Sequence, residues 1–344
     1  MLANFIKGFK KFYKKRFGKF IVKFGISFVA TLLICCIGLW AAYSYVFGGM
    51  EQSEAISKEE VGIEVQDYHT DDIINIALFG IDTDDEEMAN GRSDSIIVVS
   101  IDNKVGEIRL SAIQRDTYVT IEGRGKDKIN HAYAFGGPAL AVKTLNQNFG
   151  LDITNYAVIN FANLEKVIDA LGGIELEVTE AYLQQANKQI TNMAQARGSK
   201  ADYIEGTGMQ TLSGIQVLSM SRARYNVGGT AARSEMHELI LNACYAKLKT
   251  KNILEFPAIV KELLALVKTT LNSTDVINVG MKVLLSGYEI RQAVFPLVED
   301  QKNGGGGAMI NGVWYLTYNE EQGNQHVRDF VYDGKLPGDE VPTE

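Results

Sequence analysis

Asn75-Ile76-Ala77-Leu78-Phe79-Gly80-Ile81-Asp82 and, one loop later, Gly91-Arg92-Ser93-Asp94-Ser95-Ile96-Ile97-Val98-Val99-Ser100-Ile101 decide the fold of this chain. Both are short apolar runs rich in β-branched residues and bounded by glycine and charge, the pattern of buried strands. The spacing predicts strands over 73–79 and 95–101, covered on both faces, with two more over 107–112 and 118–121. Apolar residues then recur at helical spacing over 132–149 and 163–171, where Gly172-Gly173 stops the pattern. A strand over 174–178, helices over 211–220, 231–250, 253–271 and 275–286, and strands over 290–297 and 313–318 complete the reading. That order predicts an α/β fold, a three-layer α/β/α sandwich around a central mixed sheet.

Ahead of this domain, residues 24–47 carry no charge, enough to cross a hydrocarbon core of about 30 Å as one helix. Lys7, Lys10, Lys11, Lys14, Lys15, Arg16, Lys19 and Lys23 precede it without an acidic residue, a flank that stays in the cytoplasm. The run exceeds the usual apolar core of a cleaved leader, and Trp40, Tyr43 and Tyr45 suit an interfacial anchor. The expected organisation is a basic cytoplasmic tail over 1–23, a transmembrane helix over 24–47 and an acidic linker over 48–71. An extracytoplasmic domain over 72–333 and a tail over 334–344 follow, giving a single-pass protein of the cell membrane.

Charge and cysteine content narrow the function. The chain has net charge −8; removing its first eight basic residues from 34 leaves 26 against 42 acidic, or −16 for the remainder. So acidic an exterior lacks the basic footprint of nucleic-acid binding. Cys35 and Cys36 fall inside the span and Cys244 in a helical pattern, so one outer thiol permits no disulfide framework and reads as core filling. No His or Cys metal cluster, nucleophile elbow or phosphate-binding glycine loop with its lysine occurs.

Charged pairs at predicted strand ends carry the chemistry. Asp82 closes the first strand, at the end where open α/β sheets place ligands. Arg92 and Asp94 precede the second strand, two apart and on one face if extended. Arg115-Asp116 follows the third, and Arg222-Ala223-Arg224 follows the helix that starts near Leu212. Arg222 and Arg224 share a face only if that segment is not helical. Arg233 sits near a helix N-terminus, a place that favours anions. Each pair alone reads as a surface salt bridge. Converging guanidinium forks with carboxylates make a site for a phosphorylated ligand and its divalent cation. Asn130-His131 reads as a helix start, with Asn130 as cap and His131 packed or hydrogen bonded nearby.

Six motifs in order resemble the LytR-CpsA-Psr family. They are Asn75 to Asp82, Gly91 to Ile96, Arg115-Asp116-Thr117, Lys128 to Tyr133 with Gly136-Gly137, Val167 to Ile174, and Leu212-Ser213-Gly214 leading to Arg222-Ala223-Arg224. The resemblance implies a membrane-anchored enzyme that moves a polyprenyl pyrophosphate-linked polymer, of teichoic acid or capsular polysaccharide type, onto peptidoglycan. It assigns Asp82 and Asp94 to Mg²⁺ or Mn²⁺, and Arg92, Arg115, Arg222, Arg224 and Arg233 to the pyrophosphate. Arg115 and Asp116 become the catalytic pair, with Asp116 either orienting Arg115 or activating the acceptor hydroxyl. Helices 132–149 and 231–250 become candidate walls of a lipid tunnel. The chain departs from the family pattern at Gln114, Asp84, Thr230, Met236 and His237, the last read as a helix-surface residue. Those departures keep a second reading open, a non-catalytic homologue that holds polyprenyl phosphate or scaffolds envelope assembly.

Overall fold

The computed structural model describes residues 57, 60–63, 72–83, 88, 91–223, 229–252 and 255–339. The expected cytoplasmic tail and apolar span lie outside them, and no helix among the described residues is long and apolar enough to cross a membrane. The chain runs β1 (Ile73–Ile81), β2 (Ser93–Asp102), β3 (Glu107–Ile113), β4 (Tyr118–Ile121), β5 (Gly125–Lys128), α1 (His131–Phe149), β6 (Asn155–Asn160), α2 (Phe161–Ala170) and β7 (Ile174–Val178). It continues α3 (Glu180–Arg197), β8 (Gly208–Leu212), α4 (Gly214–Ser221), α5 (Gly229–Lys249), α6 (Phe256–Leu264), β9 (Lys268–Thr269), α7 (Ser273–Ser286) and β10 (Glu289–Phe295). Last come α8 (Val298–Asn303), β11 (Ala308–Ile310), β12 (Val313–Tyr315), α9 (Glu320–Arg328) and a wide turn over Asp329–Asp333.

One mixed sheet, in the order β10-β3-β2-β1-β6-β9, forms the middle layer. β1 pairs antiparallel with β2 and parallel with β6, and β10 pairs parallel with β3. Phe79, Ile81, Val98, Ile113 and Phe295 project from one face into a core shared with Val142, Leu145 and Phe149 of α1 and with Phe330. The opposite face presents Ile97, Ile101, Ile108 and Leu110 to α5 and α7. A third core packs β7 and β8 against α2 to α6.

The expectation that β1 is covered on both faces is wrong. Its burial alternates: Ala77, Phe79 and Ile81 are fully enclosed, whereas Ile74, Ile76 and Leu78 are only partly covered. α5 and α7 reach over the second face without closing it along the central strand. α1 and α5 pack into different cores, so they do not wall a common tunnel. α1 is also broken in two, because Gly136 and Gly137 leave helical geometry before Pro138 restarts the helix.

Other boundaries moved for local reasons. Residues 208–212 pair with β7, so the helix expected from 211 starts at Gly214, where the Gln216 side chain accepts from the Ser213 N–H at 3.0 Å. The helix expected over 253–271 ends at Leu264, and the chain then pairs with β6 as β9.

Arg109 ties the C-terminal region to the sheet. It is 2% exposed, bonded to Asp102 at 2.8 Å and Glu107 at 3.0 Å, and donates to the Val331 and Tyr332 carbonyls. Arg109→Ala leaves Asp102 buried beside an empty cavity and is expected to cost roughly 3–5 kcal/mol in urea unfolding. Cys244 packs, partly buried, against the core under β7 and β8, and burial pushes its thiol up to about 12. At pH 8 it is therefore protonated, and alkylation mapped by peptide mass spectrometry should label it only after denaturation.

Candidate functional site

The carboxyl ends of β1, β3 and β6 and the start of β2 meet at one edge of the sheet. Asp82 leaves β1 there, its N–H donating to the Arg92 carbonyl at 3.4 Å. Gly80 pairs with Ser95 and Ile81 with Ser93, which makes Asp94 the extra residue of a β-bulge. That bulge breaks the simple alternation expected to set Arg92 and Asp94 side by side. Arg92 is exposed, and among the described residues it forms no ion pair. Asp94 instead takes a hydrogen bond from Arg115 Nη1 at 2.7 Å.

Pairing thus also runs between the motifs. Arg222 Nη2 lies 3.7 Å from Asp82 Oδ1, and its guanidinium rests 4.7 Å from the Phe161 ring centroid. Arg222 caps α4 in helical geometry, and Arg224 lies outside the described residues. The position of α4 explains the Leu-Ser-Gly motif before it. A Cβ on Gly214 would stand 2.2 Å from the Glu165 carbonyl oxygen, and the Gly214 N–H donates to Asp169 Oδ1 at 2.7 Å. Only glycine allows α4 to sit this close to α2.

Asp116 is buried at the centre of the cluster. Lys128 Nζ donates to its Oδ1 at 2.7 Å, and Arg115 Nε stands 3.6 Å from its Oδ2. Arg115 Nε is shut off from solvent and makes no hydrogen bond. His131 Nδ1 contacts Asp127 at 2.9 Å, confirming a hydrogen-bonded His131. Asn130 precedes α1 but makes no capping bond with its side chain. Burial works to raise the Asp127 carboxyl, yet hydrogen bonds from His131, the Lys128 N–H and Tyr315 hold it below the usual carboxylate value.

Several departures are also placed. Met236 and His237 are both buried, Met236 packing into the core under β7 and β8, so His237 is not the helix-surface residue expected. Thr230 and Arg233 lie in α5, their side chains outside the described residues. Lys128 and Phe161 were not singled out for the site. Lys128 sits in a polar hairpin, and Phe161 becomes meaningful only once Arg222 lies over it.

Among the described residues one group of three acidic and His side chains could hold a metal ion, Glu299, Asp300 and His326. It belongs to α8 and α9, not to the sheet edge. His326 Nδ1 and Asp300 Oδ1 are 2.8 Å apart without hydrogen-bond alignment, while the other Asp300 oxygen accepts from the Leu297 N–H. Its visible role is to pin the turn before α8.

The chain is thus a mixed α/β protein with crossed arginine and carboxylate pairs at the carboxyl ends of β1 and β3. The chain belongs to the LytR_cpsA_psr family, whose pattern matches residues 42–329. A polyisoprenyl-teichoic acid–peptidoglycan teichoic acid transferase TagU of Enterococcus faecalis is 31% identical over 310 residues, 88% of this chain and 93% of that one. The solved structure of TagT bound to LI-WTA has TM-score 0.64 at 23% identity, over 82% of this chain and 98% of that one. TagT with bound octaprenyl pyrophosphate lipid has TM-score 0.60 at 22% identity, over 83% and 98%. These two structures share the fold.

Gly214→Ala is expected to push α4 off α2 and lower stability by about 1–3 kcal/mol, with Arg222 carried away from Asp82. Thermal melting and pyrophosphate titration should fall together; an unchanged melt would remove the close-packing account.

Proposed function

We propose that this chain is a membrane-anchored phosphotransferase that moves a glycopolymer, of teichoic acid or capsular type, from a polyprenyl pyrophosphate carrier onto peptidoglycan. The supporting observation is the crossed pairing of Arg115 with Asp94 and Arg222 with Asp82, at the edge of a sheet with one incompletely covered apolar face. A polyprenyl pyrophosphate has two such ends. Its phosphates suit the guanidinium forks, and its chain suits the strip of Ile74, Ile76, Leu78, Val99 and Ile290, gaining about 0.8 kcal/mol per buried methylene. The relative's name, a teichoic acid transferase, agrees with this reading. A helix over 24–47, basic flank inside, would hold the site beside the outer membrane surface.

The residues divide the work by position. Arg115, whose side chain is partly exposed, offers the phosphate the terminal N–H groups that Asp94 does not take. Arg222, laid on Phe161, and the exposed Arg92 add positive charge. Arg224 and Arg233 extend this set on the strength of the sequence. Asp116, steadied by Lys128, receives the proton of the acceptor hydroxyl as its oxygen attacks phosphorus.

The donor set fits a divalent cation. Asp94 spends only Oδ2 on Arg115, and Asp82 is half exposed with a long contact to Arg222, so each keeps a hard oxygen ligand. Mg²⁺ or Mn²⁺ held by this pair jointly with substrate phosphates would neutralise charge on the phosphoryl oxygens.

The test incubates the full chain in detergent with a polyprenyl pyrophosphate-linked oligosaccharide, peptidoglycan and Mg²⁺. Polymer on peptidoglycan and released polyprenyl phosphate are expected, and Arg115→Ala should cut the rate roughly 10²- to 10³-fold without unfolding. Arg115→Lys should not restore it, because the ammonium cannot serve Asp94 and phosphate as a fork. Carrier binding without any transfer would overturn the enzyme reading in favour of a lipid-holding homologue.

A further inference from the structure

We infer that the aromatic and basic ridge built by the β4–β5 and β11–β12 hairpins is the platform on which the acceptor glycan strand docks. This inference rests on the transferase reading above and assigns its acceptor side. The ridge grows directly out of the site. The Leu316 N–H donates to the Asp116 carbonyl and the Tyr118 N–H to the Leu316 carbonyl, both at 2.9 Å. Lys128, whose Nζ holds Asp116 Oδ1, lies 6.0 Å from the Trp314 ring centroid and 5.8 Å from that of Tyr315. Tyr315 and Tyr118 rings meet at 4.7 Å, and Lys126 stands 5.7 Å over Tyr118.

Its surface chemistry suits a sugar chain. Trp314 is 41% exposed, and Met309, opposite it across the hairpin, is 66% exposed. Such rings present a negative face, which attracts the weakly positive C–H face of a pyranose as it attracts the lysines here. Lys126, ion-paired with Glu320 through one N–H, keeps further donors for sugar hydroxyls. The rings are also held in advance. The Tyr315 ring packs against both Tyr118 and Lys128, so little freedom remains to be lost on binding.

Placement selects the acceptor over the donor as occupant. Val119 and Ile121 of β4 pack into the core on the Phe79 side of the sheet, whereas the incompletely covered apolar strip lies on the other side. In-line phosphoryl transfer puts the attacking and leaving oxygens on opposite sides of phosphorus. With the lipid on its strip, attack comes from the ridge side. There the acceptor hydroxyl oxygen bonds to the sugar-linked phosphorus and its proton passes to Asp116. The bond to the bridging oxygen breaks, and the electron pair leaves with polyprenyl phosphate.

The experiment uses the full chain in detergent micelles with two probes, uncross-linked β-1,4 GlcNAc–MurNAc strands and octaprenyl pyrophosphate. Trp314→Ala should weaken strand binding and raise the acceptor KM about tenfold, with lipid affinity and melting temperature unchanged. Trp314→Phe should recover most of the loss. If the wild type binds no strands, or Trp314→Ala and Tyr118→Ala both leave strand affinity intact, the platform is wrong. It is equally overturned if the variants weaken lipid binding instead. Ridge-dependent strand binding without transfer would sustain the platform while removing the transferase reading on which it was built.

Discussion

The hydrogen bond from Arg115 Nη1 to Asp94 Oδ2, 2.7 Å long, is the contact on which the site depends. It joins the end of β3 to the start of β2, and it exists because a single extra residue bulges there. Without that bulge the residue at 94 would follow the alternation of its strand. With it, one carboxylate serves an arginine with one oxygen and keeps the other, and Arg115 is left with a buried, unbonded Nε. This end of the sheet therefore carries two acids, Asp94 and Asp116, around one guanidinium.

Much of the fold could be read from the chain because its central strands are strongly patterned. β4 and β7 have the expected limits, and β1 to β3 differ by one to three residues at their ends. Elements that escaped notice are those whose partners, not composition, make them regular. β6 is framed by asparagines and becomes a strand because β1 pairs beside it. α3 is rich in Gln and Asn, so its apolar stripe of Ala186, Ile190 and Met193 is faint in the sequence. β9 is two residues long and pairs at the rim.

At the site, residue identities were legible but partners were not. Arg92-Ser93-Asp94 and Arg115-Asp116 look like neighbouring ion pairs in one dimension, and the structure turns Asp94 to Arg115 while Arg115 keeps Asp116 at 3.6 Å. Register and bulge position, which sequence periodicity does not encode, decide this. Lys128 and Phe161 become functional candidates only through proximity, one to a carboxylate and one to a guanidinium. In the reverse direction, His237 looked exposed by its polarity and is buried on α5.

The grip of Arg109 on the carbonyls of Val331 and Tyr332 also sets an order of events. A buried guanidinium on the third strand has no full complement of acceptors until residues lying 222 and 223 positions later are in place. Phe330, at the heart of the larger core, arrives equally late. Long-range closure of this kind delays compaction, since contacts far apart in sequence form only after both partners exist. A fold locked in this way closes as one unit, because its third strand lacks part of its acceptor set until the carbonyls of Val331 and Tyr332 dock.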